Sequence, residues 1–160
     1  MAAVDYFLKL DGIDGESTAA GHEKWIEIES FSWGLTNAGA HATTGGAGAA
    51  KAVPSDFTLT LPFSSASPQM FQKAVSGDSF SFIQIDATKA QRGSQGTYLT
   101  YKLTDVLISA LSTEGGGTAP VEQVSFAFAK VEVSYSPQTA DGSLATPLHA
   151  GFDFLNPKAS

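Results

Sequence analysis

Residues 120–138, PVEQVSFAFAKVEVSYSPQ, carry the pattern from which the fold is read. Val124, Phe126 and Phe128 alternate with small or polar residues, the period of two of a strand that buries one face. The parity then changes. Val131, Val133 and Tyr135 continue the apolar set, while Lys130, Glu132 and Ser134 take the positions that Phe126 and Phe128 led. A strand cannot exchange its apolar parity without a bulge, a bend or a change in what covers each face. This stretch is therefore expected to be the longest strand in the chain, to organise the others, and to change its surroundings midway.

The same exchange recurs in three more places: Ile26 and Ile28 give way to Phe31 and Trp33; Phe80 and Phe82 to Ile83 and Ile85; Leu99, Tyr101 and Leu103 to Val106, Ile108 and Ala110. Strands that switch faces in mid-run belong to a strongly coiled sheet closing on itself, or to two sheets sharing strands at their corners. The expected fold class is all-β, a barrel-like two-sheet domain with one flanking α-helix.

Composition narrows the rest. A chain of 160 residues fills one core and is short for two, so residues 1–160 are expected to form a single domain. Cysteine is absent, which removes disulfides, thiolate metal sites and cysteine nucleophiles. With a net charge of -7 and only 9 Lys plus Arg, phosphate-backbone binding is not its task, and no nucleic-acid partner is expected. The opening MAAVDYFLKLDG lacks a basic start, and Lys9 interrupts its apolar run, so no cleavable export signal is read there. No stretch approaches the ~18 apolar residues of a membrane helix. The chain is expected to fold in the cytoplasm, without membrane insertion, and to be exported folded if it is exported.

Strands are expected at Tyr6–Leu10, Lys24–Trp33 and Asp56–Phe63, the last with Phe57, Leu59, Leu61 and Phe63 on one face. Between the second and third lies a glycine-rich stretch, Gly34–Val53, longer than a hairpin loop needs to be. Ser67 as N-cap, Pro68 at the first helical position, the stripe Met70, Phe71, Ala74 and Val75, and Gly77 as terminator predict a helix over 67–77. Phe80–Ala87 and Tyr98–Ser112 are read as paired strands joined by the polar link TKAQRGSQG. An Asp141-Gly142 turn and the apolar end Phe152, Phe154 and Leu155 suggest a last edge strand tucked back on the barrel.

Chemistry-bearing candidates are weak. DGIDGES offers Asp11, Asp14 and Glu16 but lacks the alternating ligands and closing glutamate of a calcium loop. GGAGAAKA has Ala50 in place of the glycine before Lys51 and Ala52 in place of the hydroxyl residue of a phosphate-binding loop. Ser79 has no histidine at a spacing that suggests a triad, since His22, His41 and His149 all fall in segments read as loops or the tail. Trp25 or Trp33 would serve a carbohydrate-binding β-sandwich, but core or interface packing is the commoner fate of such residues. No catalytic constellation, metal set or cofactor motif is present, and the chain is read as a non-enzyme.

Read together, DYFLKLDGIDGES, SFSWG at Ser30–Gly34, GGAGAAK, FSSASPQMFQKAVSG, LTDVLISALSTEGGG and PVEQVSFAFAKVEVSYSPQTADGS closely resemble the Hcp family, the tube subunits of the bacterial type VI secretion system. The resemblance covers nearly the whole chain in the same order. It implies six copies closing into a hexameric ring, rings stacking into a tube inside a contractile sheath, a VgrG-type spike as cap, and small effector cargo held in the lumen. It further implies assembly in the bacterial cytoplasm, followed by secretion to the extracellular space or a target cell. Residues 34–53 match the family's extended loop, which places Gly45, Gly46, Gly48 and Lys51 at contacts between copies. Some members carry a toxin domain after the tube domain; here the sequence stops at Ser160, so toxicity is expected from separate cargo. The tail-tube protein of a phage-like contractile particle is the neighbouring alternative.

Overall fold

The computed structural model describes residues 4–37, 52–91, 93–156 and 158–159. In chain order these form β1 (Asp5–Leu10), β2 (Ile26–Ile28), β3 (Ser30–Ser32), β4 (Leu35–Asn37), β5 (Ala52–Pro54), β6 (Phe57–Pro62), α1 (Ser67–Ser76), β7 (Phe80–Gln91), β8 (Ser94–Glu114), β9 (Val121–Tyr135), β10 (Leu148–Asp153) and β11 (Lys158–Ala159).

β9 changes neighbours where its parity changes. One edge pairs with β8 along its whole length, from Leu99↔Tyr135 to Glu114↔Val121. The other edge pairs with β6 from Phe57↔Phe126 to Pro62↔Val121, and then with β10 from Leu148↔Tyr135 to Asp153↔Lys130. Val124 and Phe126 therefore face the barrel core, and the buried set resumes at Val131. In β8 the corresponding change is made by Asp105, whose φ of 52° lies in the left-handed region. That residue turns the strand, so that Leu103 and Val106, on opposite parities, both become fully buried.

β8 spans 21 residues and β9 only 15, so β8 is the longest strand, contrary to the sequence expectation. The reason is the β7–β8 hairpin. Its ladder continues through Thr88↔Thr97 to Gln91↔Ser94, and most of TKAQRGSQG is strand rather than a polar link. A second correction follows from a register shift between Ile108 and Ala110. The bulge turns Leu111 toward the core and leaves Ala110 exposed.

The main sheet nearly closes on itself. β1 pairs with β7 on one side and β2 on the other. The chain then passes through Glu29, whose N–H donates to the Thr60 carbonyl oxygen at 2.8 Å, and β3 exchanges β1 for β6 as its partner. With β6 on β9, β9 on β8 and β8 on β7, the ladder returns to β1. The stretch read as one strand, Lys24–Trp33, is thus a corner made of two short strands, with Ile26 and Ile28 buried on one side of it and Phe31 and Trp33 half-buried on the other.

Inside lie Leu8, Phe57, Leu59, Leu61, Phe80, Ile83, Ile85, Leu103, Val106, Val124 and Phe126, all nearly inaccessible. Each is worth roughly 1.5–3 kcal/mol on burial. Phe57 is the hub of an aromatic cluster, with ring centroids 5.0 Å from Trp33, 5.3 Å from Tyr101, 5.7 Å from Phe128 and 6.2 Å from Phe31. Phe63 departs from the expected face and is half-exposed, because the strand ends at Pro62.

α1 ends as the sequence predicts, at Gly77 with a φ of 73° and its N–H on the Lys73 carbonyl oxygen. Its start differs. Ala66 is the capping residue and Ser67 lies inside the helix, with its hydroxyl committed to the buried carboxylate of Glu122 on β9. A carboxylate at a helix N-terminus is favoured by the helix dipole. The predicted apolar stripe also splits. Met70 is buried and Ala74 packs on the core, whereas Phe71 and Val75 face outward.

Candidate functional site

Gly45, Gly46, Gly48 and Lys51, the residues expected at contacts between copies, lie outside the described residues. The root of their segment is described, and it is not loop. β4 and β5 pair as Leu35↔Pro54, Thr36↔Val53 and Asn37↔Ala52, forming a separate two-stranded sheet. Gly34 N–H donates to Ser55 Oγ and Ser55 N–H to the Gly34 carbonyl oxygen, each at 2.8 Å, which clamps the root to the start of β6. Leu35 and Val53 are about half exposed on this hairpin.

Between the hairpin root and the outer strands lies a groove of about 350 Å³, walled by Trp33, Leu35, Val133, Ala150, Phe152 and Phe154. Its placement follows from the ladder: Val133 is directly opposite Ala150, and Val131 opposite Phe152. Phe152 and Phe154 meet edge to face at 4.9 Å, Phe154 meets Phe128 at 6.0 Å, and the Phe154 N–H donates to the Ala129 carbonyl oxygen at 2.8 Å. The tail therefore tucks back as expected, although Leu155 stays 70% exposed. A second surface, of mixed polarity, surrounds α1, where Phe71 and Val75 are 60% and 72% exposed and border a shallow cleft of about 310 Å³ with Ala74, Ser109, Ala110 and Leu111.

The tryptophans are occupied from within. Trp33 stacks on Phe57 at 5.0 Å and meets Tyr101 and Phe128 edge to face. Trp25 meets His22 edge to face at 4.6 Å, with Lys9 Nζ 5.9 Å from its centre. Packing, as weighed from the sequence, describes both better than a sugar platform does. Ser79 is exposed in the link from α1 to β7, and Asp11 and Asp14 are exposed in the first turn. Among the described residues no group of His, Asp and Glu is arranged to hold a metal ion.

One polar cluster escaped the sequence reading. His22, assigned to a loop, is 6% exposed, stacks on Phe7 at 4.5 Å, and has Nε2 2.8 Å from Asp86 Oδ2. The other Asp86 oxygen accepts from Thr100 Oγ1 at 2.9 Å and Gln84 Nε2 at 3.0 Å. The residues between β1 and β2 thereby cover the outer face of β1 and β7, burying Phe7, Asp86 and Thr88. Gly15 permits the close approach, since a Cβ there would come within 2.4 Å of the Trp25 carbonyl oxygen. The His22–Asp86 pair clasps the segment between β1 and β2 onto β7. Sixty-four positions separate its two members, which left no local signal to find.

Titration behaviour elsewhere is local. The Thr139 hydroxyl and the Ser143 N–H hold the Asp141 carboxyl below its ordinary value. Burial, with Tyr6 and Tyr135 nearby, pushes the Tyr98 phenol up. Backbone N–H groups, its own and that of Gly21, lower Glu23. No helix among the described residues is long and apolar enough to cross a membrane.

Residues 7–135 match the family model described as type VI secretion system effector, Hcp. Protein Hcp1 of Pseudomonas aeruginosa is 34% identical over 143 residues, which is 88% of either chain. Among solved structures, that of a type six secretion system protein superposes with a TM-score of 0.89 at 31% identity, covering 99% of this chain and 100% of that one. Hcp1 from Salmonella typhimurium superposes with a TM-score of 0.82 at 29% identity, over the full length of both.

Proposed function

The chain belongs to the Hcp family of type VI secretion proteins, and from that premise we propose that it is the structural subunit of the system's inner tube. Six copies close into a ring, rings stack into a hollow tube, and a contractile sheath expels the tube beneath a VgrG-type spike. Small effectors travel in the lumen. The subunit folds as one domain, performs no turnover and holds no cofactor. It is assembled in the bacterial cytoplasm and leaves the cell as part of the tube.

The observation that carries this reading is the match over nearly the entire chain, in sequence and in fold, to proteins of type VI secretion. Two features of the barrel support it. Its sheet is nearly closed, while the outer edge of β10 from Leu148 to Gly151 has no strand partner among the described residues and is open to a neighbour. It also exposes an apolar groove and, on α1, the side chains of Phe71 and Val75, which a solitary domain has reason to cover. Gly45, Gly46, Gly48 and Lys51 belong, in this reading, to contacts between copies.

Light scattering on a sizing column, with negative-stain imaging of the same peak, tests the proposal. A mass near six times the 16.6 kDa chain with annular particles is expected. A compact monomer at high concentration, with no rings, would overturn it.

A further inference from the structure

We propose that Asp11-Gly12, the turn that ends β1, is a modification site: the glycine nitrogen closes on the aspartate side chain to form a succinimide, which water opens to isoaspartate. The reaction needs only this chain and water.

The chain contains three Asp-Gly pairs, Asp11-Gly12, Asp14-Gly15 and Asp141-Gly142. Glycine hinders such a ring closure least, because no side chain stands beside the attacking nitrogen. All three aspartates are exposed, so exposure does not separate them. The commitments of the glycine N–H groups do.

Gly15 N–H donates to the Lys24 carbonyl oxygen at 2.6 Å, and its backbone is hemmed in, since a Cβ there would collide with the Trp25 carbonyl oxygen and with Ile26. Gly142 N–H donates to the Thr139 carbonyl oxygen at 3.0 Å. The Asp141 carboxylate is itself held by the Thr139 hydroxyl and, at 3.0 Å, by the Ser143 N–H. At the first pair both reacting groups are free: among the described residues Gly12 N–H has no acceptor and the Asp11 carboxylate no donor, and a Cβ on Gly12 would meet nothing within 4 Å.

The turn is closed from outside this pair. Ile13 N–H donates to the Leu10 carbonyl oxygen at 3.2 Å, with Gly12 at a φ of 85°. The central peptide of such a turn takes no part in the closing bond. It can therefore rotate and bring the Gly12 nitrogen to the Asp11 side-chain carbon while Leu10 and Ile13 stay buried.

In the first step the Gly12 nitrogen bonds to Asp11 Cγ, and one oxygen of the protonated carboxyl leaves as water with the amide proton. Water then adds to one of the two ring carbonyls. Addition at Cγ restores the aspartate. Addition at the main-chain carbonyl breaks its bond to the Gly12 nitrogen, frees an α-carboxylate and leaves the chain running through the side chain. The extra main-chain carbon falls where β1 passes into the segment that carries His22 onto Asp86.

The full chain is aged for several weeks in neutral buffer, folded and in parallel in concentrated urea, and its peptides are mapped by mass spectrometry. Succinimide is read as the loss of one water, isoaspartate by retention time and backbone fragmentation. In the folded chain, reaction at Asp11 should exceed that at Asp14 or Asp141 by about fivefold or more, the factor in rate that retaining one glycine hydrogen bond corresponds to. In urea the three sites should draw level. Asp11→Asn should speed the reaction at that position, because an amide side chain closes the same ring with loss of ammonia, and Asp11→Ser should remove the signal. Folded protein that reacts first at Asp14, at Asp141 or at Asp78 before Ser79, or not at all at Asp11, would overturn the proposal. An Asp11 lead that persists unchanged in urea would overturn it as well, since the order would then come from neighbouring residues in the sequence and not from the fold.

Discussion

Replacing Phe57 with alanine tests the architecture at its centre. The ring is fully buried, lies opposite Phe126 in the β6–β9 ladder, and touches four other aromatic rings. Burying a phenylalanine removes about 150–250 Å² from water, which at about 25 cal/mol per Å² corresponds to roughly 4–6 kcal/mol. Core Phe→Ala substitutions cost about 3–5 kcal/mol once partial collapse of the cavity is allowed for. The aromatic contacts favour the upper part of that range, and a loss of about 4 kcal/mol is expected. A domain has only about 5–15 kcal/mol to lose. Urea unfolding followed by tryptophan fluorescence, at a concentration where assembly is absent, measures the change; with a slope of about 2 kcal/mol per M the midpoint falls by about 2 M. Phe71→Ala is the matched control, the same substitution at a side chain 60% exposed, and should change monomer stability by no more than about 0.5 kcal/mol. A Phe57→Ala loss below about 1 kcal/mol, or equal losses at the two sites, would refute the closed barrel with Phe57 at its hub. The Leu variant, which keeps most of the volume, should fall between the two.

Three further outcomes follow from particular contacts. His22→Ala leaves Asp86 with Thr100 and Gln84 as remaining partners, and should cost about 2–3 kcal/mol; a double-mutant cycle with Asp86→Asn should return a coupling above about 1 kcal/mol, and a value near zero would mean the clasp is not formed. At Asp105, whose φ is 52°, glycine should be neutral or stabilising and valine should cost about 1–2 kcal/mol by thermal melting, because a branched side chain is disfavoured in the left-handed region. Asp141 has a folded pKa held below its ordinary value of 3.8. Its contribution to the 139–143 turn is therefore complete above that value and lost as the pH falls through the lower folded one. An NMR titration should show the Asp141 carboxyl titrating below a peptide reference, in step with the Ser143 amide shift, and Thr139→Val should move it back up.

Much of this molecule is legible in the order of its residues, because strand periodicity is a local property. The all-β class follows from alternation in segments of five to ten residues. The parity exchanges in β7, β8 and β9 announce that strands change surroundings, and the structure supplies the causes: a partner exchange from β6 to β10, and a left-handed residue at Asp105. The C-cap at Gly77, the turn at Asp141-Gly142 and the exclusion of thiol chemistry likewise needed no coordinates. Tertiary structure alone decided which distant residues meet. Ser67 reaches Glu122 across 55 positions and His22 reaches Asp86 across 64, and neither pairing leaves a spacing rule in the chain. It also decided which of two apolar rows on α1 faces inward. A helical period places Met70, Phe71, Ala74 and Val75 on one broad face, and only the barrel wall, by touching part of that face, separates Met70 and Ala74, which hold this fold together, from Phe71 and Val75, which stay exposed.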